Sequence, residues 1–71
     1  MEIIFTDHAK QRMIERGIKF NEIKETIELP NYTISKNGKI EAYKKIENKT
    51  LRVIYSKEDK YIRIITVIDK Q

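Results

Sequence analysis

Lys39-Ile40-Glu41-Ala42-Tyr43-Lys44-Lys45-Ile46-Glu47-Asn48-Lys49-Thr50-Leu51-Arg52-Val53-Ile54-Tyr55 is where the chain declares its architecture. Apolar and polar side chains alternate with a period of two on either side of Asn48-Lys49, the pattern of two antiparallel strands with one face buried. A two-residue turn at Asn48-Lys49 sets Ile46 opposite Leu51, Lys45 opposite Arg52, Lys44 opposite Val53 and Tyr43 opposite Ile54. Lys44 then falls on the core side and has to extend its ammonium past an edge.

Toward the C-terminus, a turn at Glu58-Asp59 sets Tyr55 opposite Ile62, Ile54 opposite Arg63 and Val53 opposite Ile64. Residues 62–68 are apolar on both faces apart from Arg63 and Thr66, which makes this strand an interior one with the N-terminal strand on its free side. Toward the N-terminus, Asn37-Gly38 is a type I′ hairpin signal. It places Tyr32 and Ile34 on the open face and Thr33 and Ser35 on the core side, so residues 31–36 read as a loosely packed edge, unless that turn is longer. The predicted strands are 31–36, 39–47, 50–57 and 60–69. One face carries Ile40, Ala42, Ile46, Leu51, Val53, Tyr55, Ile62 and Ile64 and is the face for helices to cover. The other carries Tyr43, Lys45, Arg52, Ile54, Tyr61, Arg63 and Ile65, a basic and aromatic mixture of the kind nucleic-acid binders present.

Ahead of the meander, Ile3-Ile4-Phe5 begins a short strand. Thr6 or Asp7 caps a helix that Gly17 ends. A second helix starts near Lys19, with Ile18 and Ile23 at staple spacing and Glu22 at N3. Ile23 and Ile27 mark its buried face, and Pro30 enforces its stop. The predicted fold class is α+β: a short N-terminal strand, two helices, then an antiparallel meander with the helices on one face.

Seventy-one residues make a single domain, residues 1–71. Lys plus Arg total 15 against 11 Asp plus Glu, a net charge of +4 that weakly favours polyanions. There is no Cys and one His, which removes disulfides, thiolate sites and a Cys nucleophile, and no metal or other cofactor is expected. No basic-then-apolar leader and no apolar run of membrane-spanning length is present, so a cytoplasmic location without membrane association is expected. No phosphate loop, nucleophile elbow or metal motif occurs.

Two constellations carry chemistry. His8, Arg12 and Arg16 stand at i, i+4 and i+8 on the first helix, one stripe along its surface. His exchanges protons near neutral pH and Arg suits phosphate, a minimal kit for phosphodiester chemistry. Each also has a plainer reading. His8 can order the helix start, Arg12 can tie helix to sheet, and Arg16, near the buried centre, can pair with Glu22 or Glu25. The second constellation is Tyr43, Lys45, Arg52, Tyr61 and Arg63 on the open sheet face. It can be an ordinary solvated face, but Lys45 opposite Arg52 is a like-charge pair that favours a bridging anion.

Phe5-Thr6-Asp7-His8-Ala9 with Arg12 and Arg16-Gly17-Ile18, followed by Ile40-Glu41-Ala42-Tyr43, Leu51-Arg52-Val53-Ile54-Tyr55 and Ile64-Ile65-Thr66-Val67, resembles a family of small bacterial and archaeal domains with an HA…R…RGI pattern. The order of elements is similar to that of the RelE/ParE toxin superfamily. That resemblance implies a toxin of a toxin–antitoxin pair: RelE-like members cut mRNA on the ribosome without metal, using Lys, Arg and Tyr of the sheet, and ParE-like members inhibit gyrase. The expectation is a metal-independent endoribonuclease. Arg52 and Arg63 would hold the scissile phosphate, His8 or Tyr43 would move protons, and Arg12 would orient substrate or His8. Arg16, Lys45 and Tyr61 would complete the RNA contacts. Two alternatives stand beside it. One is a non-catalytic RNA- or protein-binding module. The other is a gyrase-directed or antitoxin-bound protein with Ile54, Ile65 and Val67 as an apolar interface, a patch that favours a partner or a homodimer.

Overall fold

The computed structural model describes residues 2–70. The elements follow the order β1 (Glu2–Phe5), α1 (Asp7–Arg16), α2 (Phe20–Glu28), β2 (Tyr32–Lys36), β3 (Lys39–Ile46), β4 (Lys49–Lys57) and β5 (Tyr61–Lys70). The five strands form one mixed sheet in the order β1-β5-β4-β3-β2. β1 runs parallel to β5 and the remaining pairs are antiparallel. The fold is α+β with both helices against one face, and β5 is interior with β1 on its free side. No helix among the described residues is long and apolar enough to cross a membrane.

Local chemistry explains the helix ends. Thr6 is the N-cap of α1: its Oγ1 accepts the Ala9 N–H at 3.1 Å. Gly17 ends the helix at φ 63°, and the Ile18 N–H reaches back to the Met13 carbonyl at 3.0 Å, a Schellman closure. The α2 N-cap is Lys19, whose N–H donates to the Glu22 carboxylate at 3.0 Å, while Ile18 and Ile23 are both buried beside it. At the other end of α2, Lys44 Nζ donates to the Leu29 carbonyl at 2.7 Å and lies 3.7 Å from Glu25. The lysine on the core side thus reaches out and caps a helix C-terminus.

The core is Ala9, Ile18 and Ile23 from the helical segment against Ala42, Leu51, Val53, Tyr55, Ile62, Ile64 and Val67 of the sheet. Ile3, Phe5, Met13, Ile27, Ile40 and Ile46 pack around it.

Three expectations about register need correction. The β3–β4 turn is Glu47-Asn48, not Asn48-Lys49, so Ile46 pairs with Lys49, Lys44 with Leu51 and Tyr43 with Arg52. The faces survive because the register moves by two residues, which keeps side-chain parity. The shift puts Lys49 at the start of β4, where its Nζ reaches Glu22 of α2 at 3.0 Å. The β4–β5 turn is Asp59-Lys60, not Glu58-Asp59: the Glu58 N–H bonds the Tyr61 carbonyl, and Tyr55 pairs with Ile64.

The third correction is a bulge. Ile54 pairs with Thr66 while Tyr55 pairs with Ile64, leaving Ile65 as an extra residue. Its carbonyl is not orphaned, because Thr6 Oγ1 donates to it at 3.1 Å. The bulge re-phases β5, so Val67 turns to the core and is fully buried instead of joining the open face.

Candidate nucleic-acid interface

The helices cover only one side of the sheet. The other side is arranged in rows that run across the strands, since residues paired across neighbouring strands share a face. One row is Tyr32, Tyr43, Arg52 and Ile68. The next is Ile34, Glu41, Ile54 and Thr66. Lys36 pairs with Lys39 toward one end, where Arg63 stands between Ser56 and Ile4. Lys45 faces Thr50 at the other end. A band of aromatic and aliphatic side chains is therefore flanked by cations at both ends of the strands.

The middle row is a ladder. The Tyr32 and Tyr43 rings stack with centroids 4.5 Å apart and planes 11° from parallel. The Arg52 guanidinium carbon lies 5.7 Å from the Tyr43 ring centre. Glu41 Oε1 ties the ladder down, accepting from Arg52 Nε at 3.2 Å, from the Arg52 terminal nitrogen at 2.8 Å and from the Tyr43 hydroxyl at 3.0 Å. The Arg52 hydrogen bonds, then that of Tyr43, hold the Glu41 carboxyl below its ordinary value. Desolvation, and then donation to Glu41, pushes the Tyr43 hydroxyl above its own.

Arg63 and Lys45 are exposed and make no ion pair among the described residues. Tyr61 is half-buried at the border with Glu2 of β1. The like-charge pair of Lys45 with Arg52 is not formed: Lys45 faces Thr50, and Arg52 faces Tyr43 and is neutralised by Glu41. That pair therefore calls for no bridging anion, and the cations left free on the face among the described residues include Lys45 and Arg63.

The eight sequence candidates divide into two layers. Tyr43, Lys45, Arg52, Tyr61 and Arg63 share the uncovered face. His8, Arg12 and Arg16 belong to α1, which packs through Ala9 on the opposite, core side. His8 is exposed there, and the helix start is ordered by Thr6 instead. Arg12 pairs with Glu15 at 3.1 Å on its own helix, an exposed pair of small energetic weight. Arg16 approaches Asp69 of β5 at 4.0 Å, not Glu22 or Glu25, which are held by Lys49 and Lys44. A joint site of His8 with Arg52 is therefore not assembled, because the sheet and its core lie between them.

Two residues of the face escaped the sequence candidates. Tyr32 extends the ladder, and the Asn37-Gly38 turn alone was enough to register it on the open face. Glu41 is the hub of the ladder; its alternation was legible, but its diagonal reach to Arg52 depended on the β3–β4 register. Among the described residues no three His, Cys, Asp or Glu side chains gather as metal ligands would.

No curated protein and no solved structure matches the chain. One family does, over residues 5–69, a span from the last residue of β1 almost to the end of β5. The chain therefore belongs to the family described as a domain of unknown function, DUF4258.

Proposed function

We propose that this protein acts on RNA through the uncovered face of its sheet. The observation that carries the reading is the combination of an aromatic ladder, Tyr32-Tyr43-Arg52, with Arg63 and Lys45, exposed cations that make no ion pair among the described residues, on a face that neither helix covers. Cations at the two ends of the strands suit phosphates several nucleotides apart on a single strand, and the aromatic and aliphatic side chains between them suit bases, which is how sequence-tolerant binders divide the work. The site of action is the cytoplasm, where a RelE/ParE-like domain meets mRNA or the ribosome and is restrained by an antitoxin.

Fluorescence anisotropy with a labelled single-stranded RNA at several salt concentrations tests the reading. Affinity is expected to fall steeply with salt, and Arg63→Ala and Lys45→Ala are each expected to lower the slope of log affinity against log salt by about one. No binding at low salt, or binding that ignores both substitutions, overturns it.

Metal-independent cleavage is the second reading, favoured by the convergence of Arg52 and the Tyr43 hydroxyl on one carboxylate. When Arg52 turns from Glu41 to a phosphate, Glu41 is released to accept the proton of a ribose 2′-OH. The 2′ oxygen attacks phosphorus, the bond to the 5′ oxygen breaks, and Tyr43 donates its proton to that leaving oxygen. Products ending in 2′,3′-cyclic phosphate, formed in chelator and lost in Glu41→Gln, support this reading, together with growth arrest on regulated expression. Intact RNA and normal growth leave binding alone.

A further inference from the structure

The outer edge of β2 is a second uncovered surface, independent of the RNA reading. β2 is a border strand, and all five of its residues are exposed. Tyr32 is 56% and Ile34 44% exposed. Natural sheet edges are usually blunted by proline, a mid-strand charge or a bulge. Tyr32-Thr33-Ile34-Ser35-Lys36 has no proline, and its single charge is at the end nearest the turn.

The hydrogen-bonding phase of this edge follows from the hairpin. Asn37 at φ 53° and Gly38 at φ 76° form a type I′ turn. Lys36 and Lys39 are then the hydrogen-bonded pair that closes the turn. Bonded and open pairs alternate along an antiparallel ladder, so Ile34 and Tyr32 spend their backbone groups on β3. Thr33 and Ser35 aim theirs outward from the border of the sheet, with no partner there among the described residues.

We propose that this edge pairs with the same edge of a second copy of the chain, antiparallel about a two-fold axis at Ile34. Thr33 then lies opposite the second copy's Ser35 as a bonded pair, twice over, and Ile34 lies opposite the second copy's Ile34 at the close, non-bonded spacing. Tyr32 lies opposite the second copy's Lys36. The ring face of Tyr32 turned away from Tyr43 receives that ammonium, so the ladder Arg52-Tyr43-Tyr32 gains a fourth rung. No like charges oppose each other in this register, and only this register overlaps all five residues with donors facing acceptors. It joins two five-stranded sheets into one, with the uncovered faces continuous. A five-residue edge is smaller than a standard interface of about 1,600 Å², so the dimer is weak, with Kd on the order of 100 µM. Each copy carries +4, so salt screens the repulsion and tightens the dimer, opposite in sign to its effect on RNA binding.

Sedimentation equilibrium of the full chain from about 10 µM to about 1 mM, at low and high salt, tests the proposal. The mass is expected to rise toward twice 8.5 kDa, more readily at high salt. Ser35→Pro removes an outward N–H without breaking a bond to β3, and Ile34→Lys brings like charges together at the axis. Both are expected to stay monomeric with an unchanged circular dichroism spectrum. In the wild type, amide exchange at Thr33 and Ser35 is expected to slow as concentration rises. A monomer throughout the range overturns the proposal, as does a dimer that tolerates both substitutions.

Discussion

Glu41 and Glu22 are the two carboxylates on which the molecule's polar order turns. Glu41 gathers Arg52 and Tyr43 on the open face. Glu22 accepts the Lys19 N–H and the Lys49 ammonium, each at 3.0 Å, and so ties the start of α2 to β4. The Lys19 hydrogen bond is the main cause that holds the Glu22 carboxyl below its ordinary 4.5, with Lys49 adding to it and desolvation opposing. A carboxyl with a lowered folded pKa stabilises the fold above its unfolded value, and that contribution is lost as pH falls through the folded value. The thermal midpoint of the wild type is therefore expected to drop between about pH 5 and pH 3, and Glu22→Gln, less stable at neutral pH, to show a flatter profile in that window. Circular dichroism melts across the range check it; parallel profiles would sink the assignment. The capping role of Glu22 was legible from its position three residues after Lys19. Its second partner was not, because Lys49 reaches it only when β4 starts one residue earlier than turn propensity suggests.

At the scale of elements, the helices and the Asn37-Gly38 hairpin obey their sequence signals, and the β3–β4 and β4–β5 registers depart from them. Thr6, Gly17, Ile18 and Pro30 act locally, so caps and stops are readable along the chain. Hairpin registers are weaker signals wherever the turn lacks glycine. Glu47 illustrates this: it sits at φ 55°, in the left-handed region that side chains with a Cβ avoid. The turn is held there because the sheet and α2 together favour Lys49 within β4. Replacing Glu47 with Gly is expected to relieve that strain and raise stability by up to about 1 kcal/mol. Urea denaturation measures it, and a destabilised Glu47→Gly would mean that the turn is unstrained. The bulge at Ile65 has no signature in the residues themselves. It becomes intelligible only beside Thr6, whose hydroxyl serves both the α1 start and the Ile65 carbonyl.

The whole molecule is a two-layer fold with a thin core, and that sets its tolerance. A 71-residue domain has a stability of about 4–10 kcal/mol. Leu51 is fully buried beneath the helices, and Leu51→Ala is expected to cost about 3 kcal/mol, a large share of that total. A midpoint shift in urea at unchanged slope measures it, and a cost under about 1 kcal/mol would mean that the core closes over the cavity. The same thin architecture explains why one sheet face is free. Two short helices can cover only one side of five strands, so every polar and aromatic residue of opposite parity is left to solvent, ligand or a second copy.

Alternation, caps and turns are local, and from them the sequence by itself determined the α+β class, the order of elements, the interior position of β5 and the membership of Tyr43, Lys45, Arg52, Tyr61 and Arg63 in one face. Parity survives a two-residue slip, which is why those faces stood although two registers moved. Tertiary structure alone decided which residues meet across the strands: Arg52 with Tyr43 and Glu41 instead of Lys45, Arg16 with Asp69, and Val67 in the core. It also separated His8 from the basic face. The physical reason is that a helical stripe and a strand face are each short-range patterns. The side of the sheet on which a helix lands is set by where the apolar area is buried, here Ala9, Ile18 and Ile23 against Leu51, Val53 and Ile64.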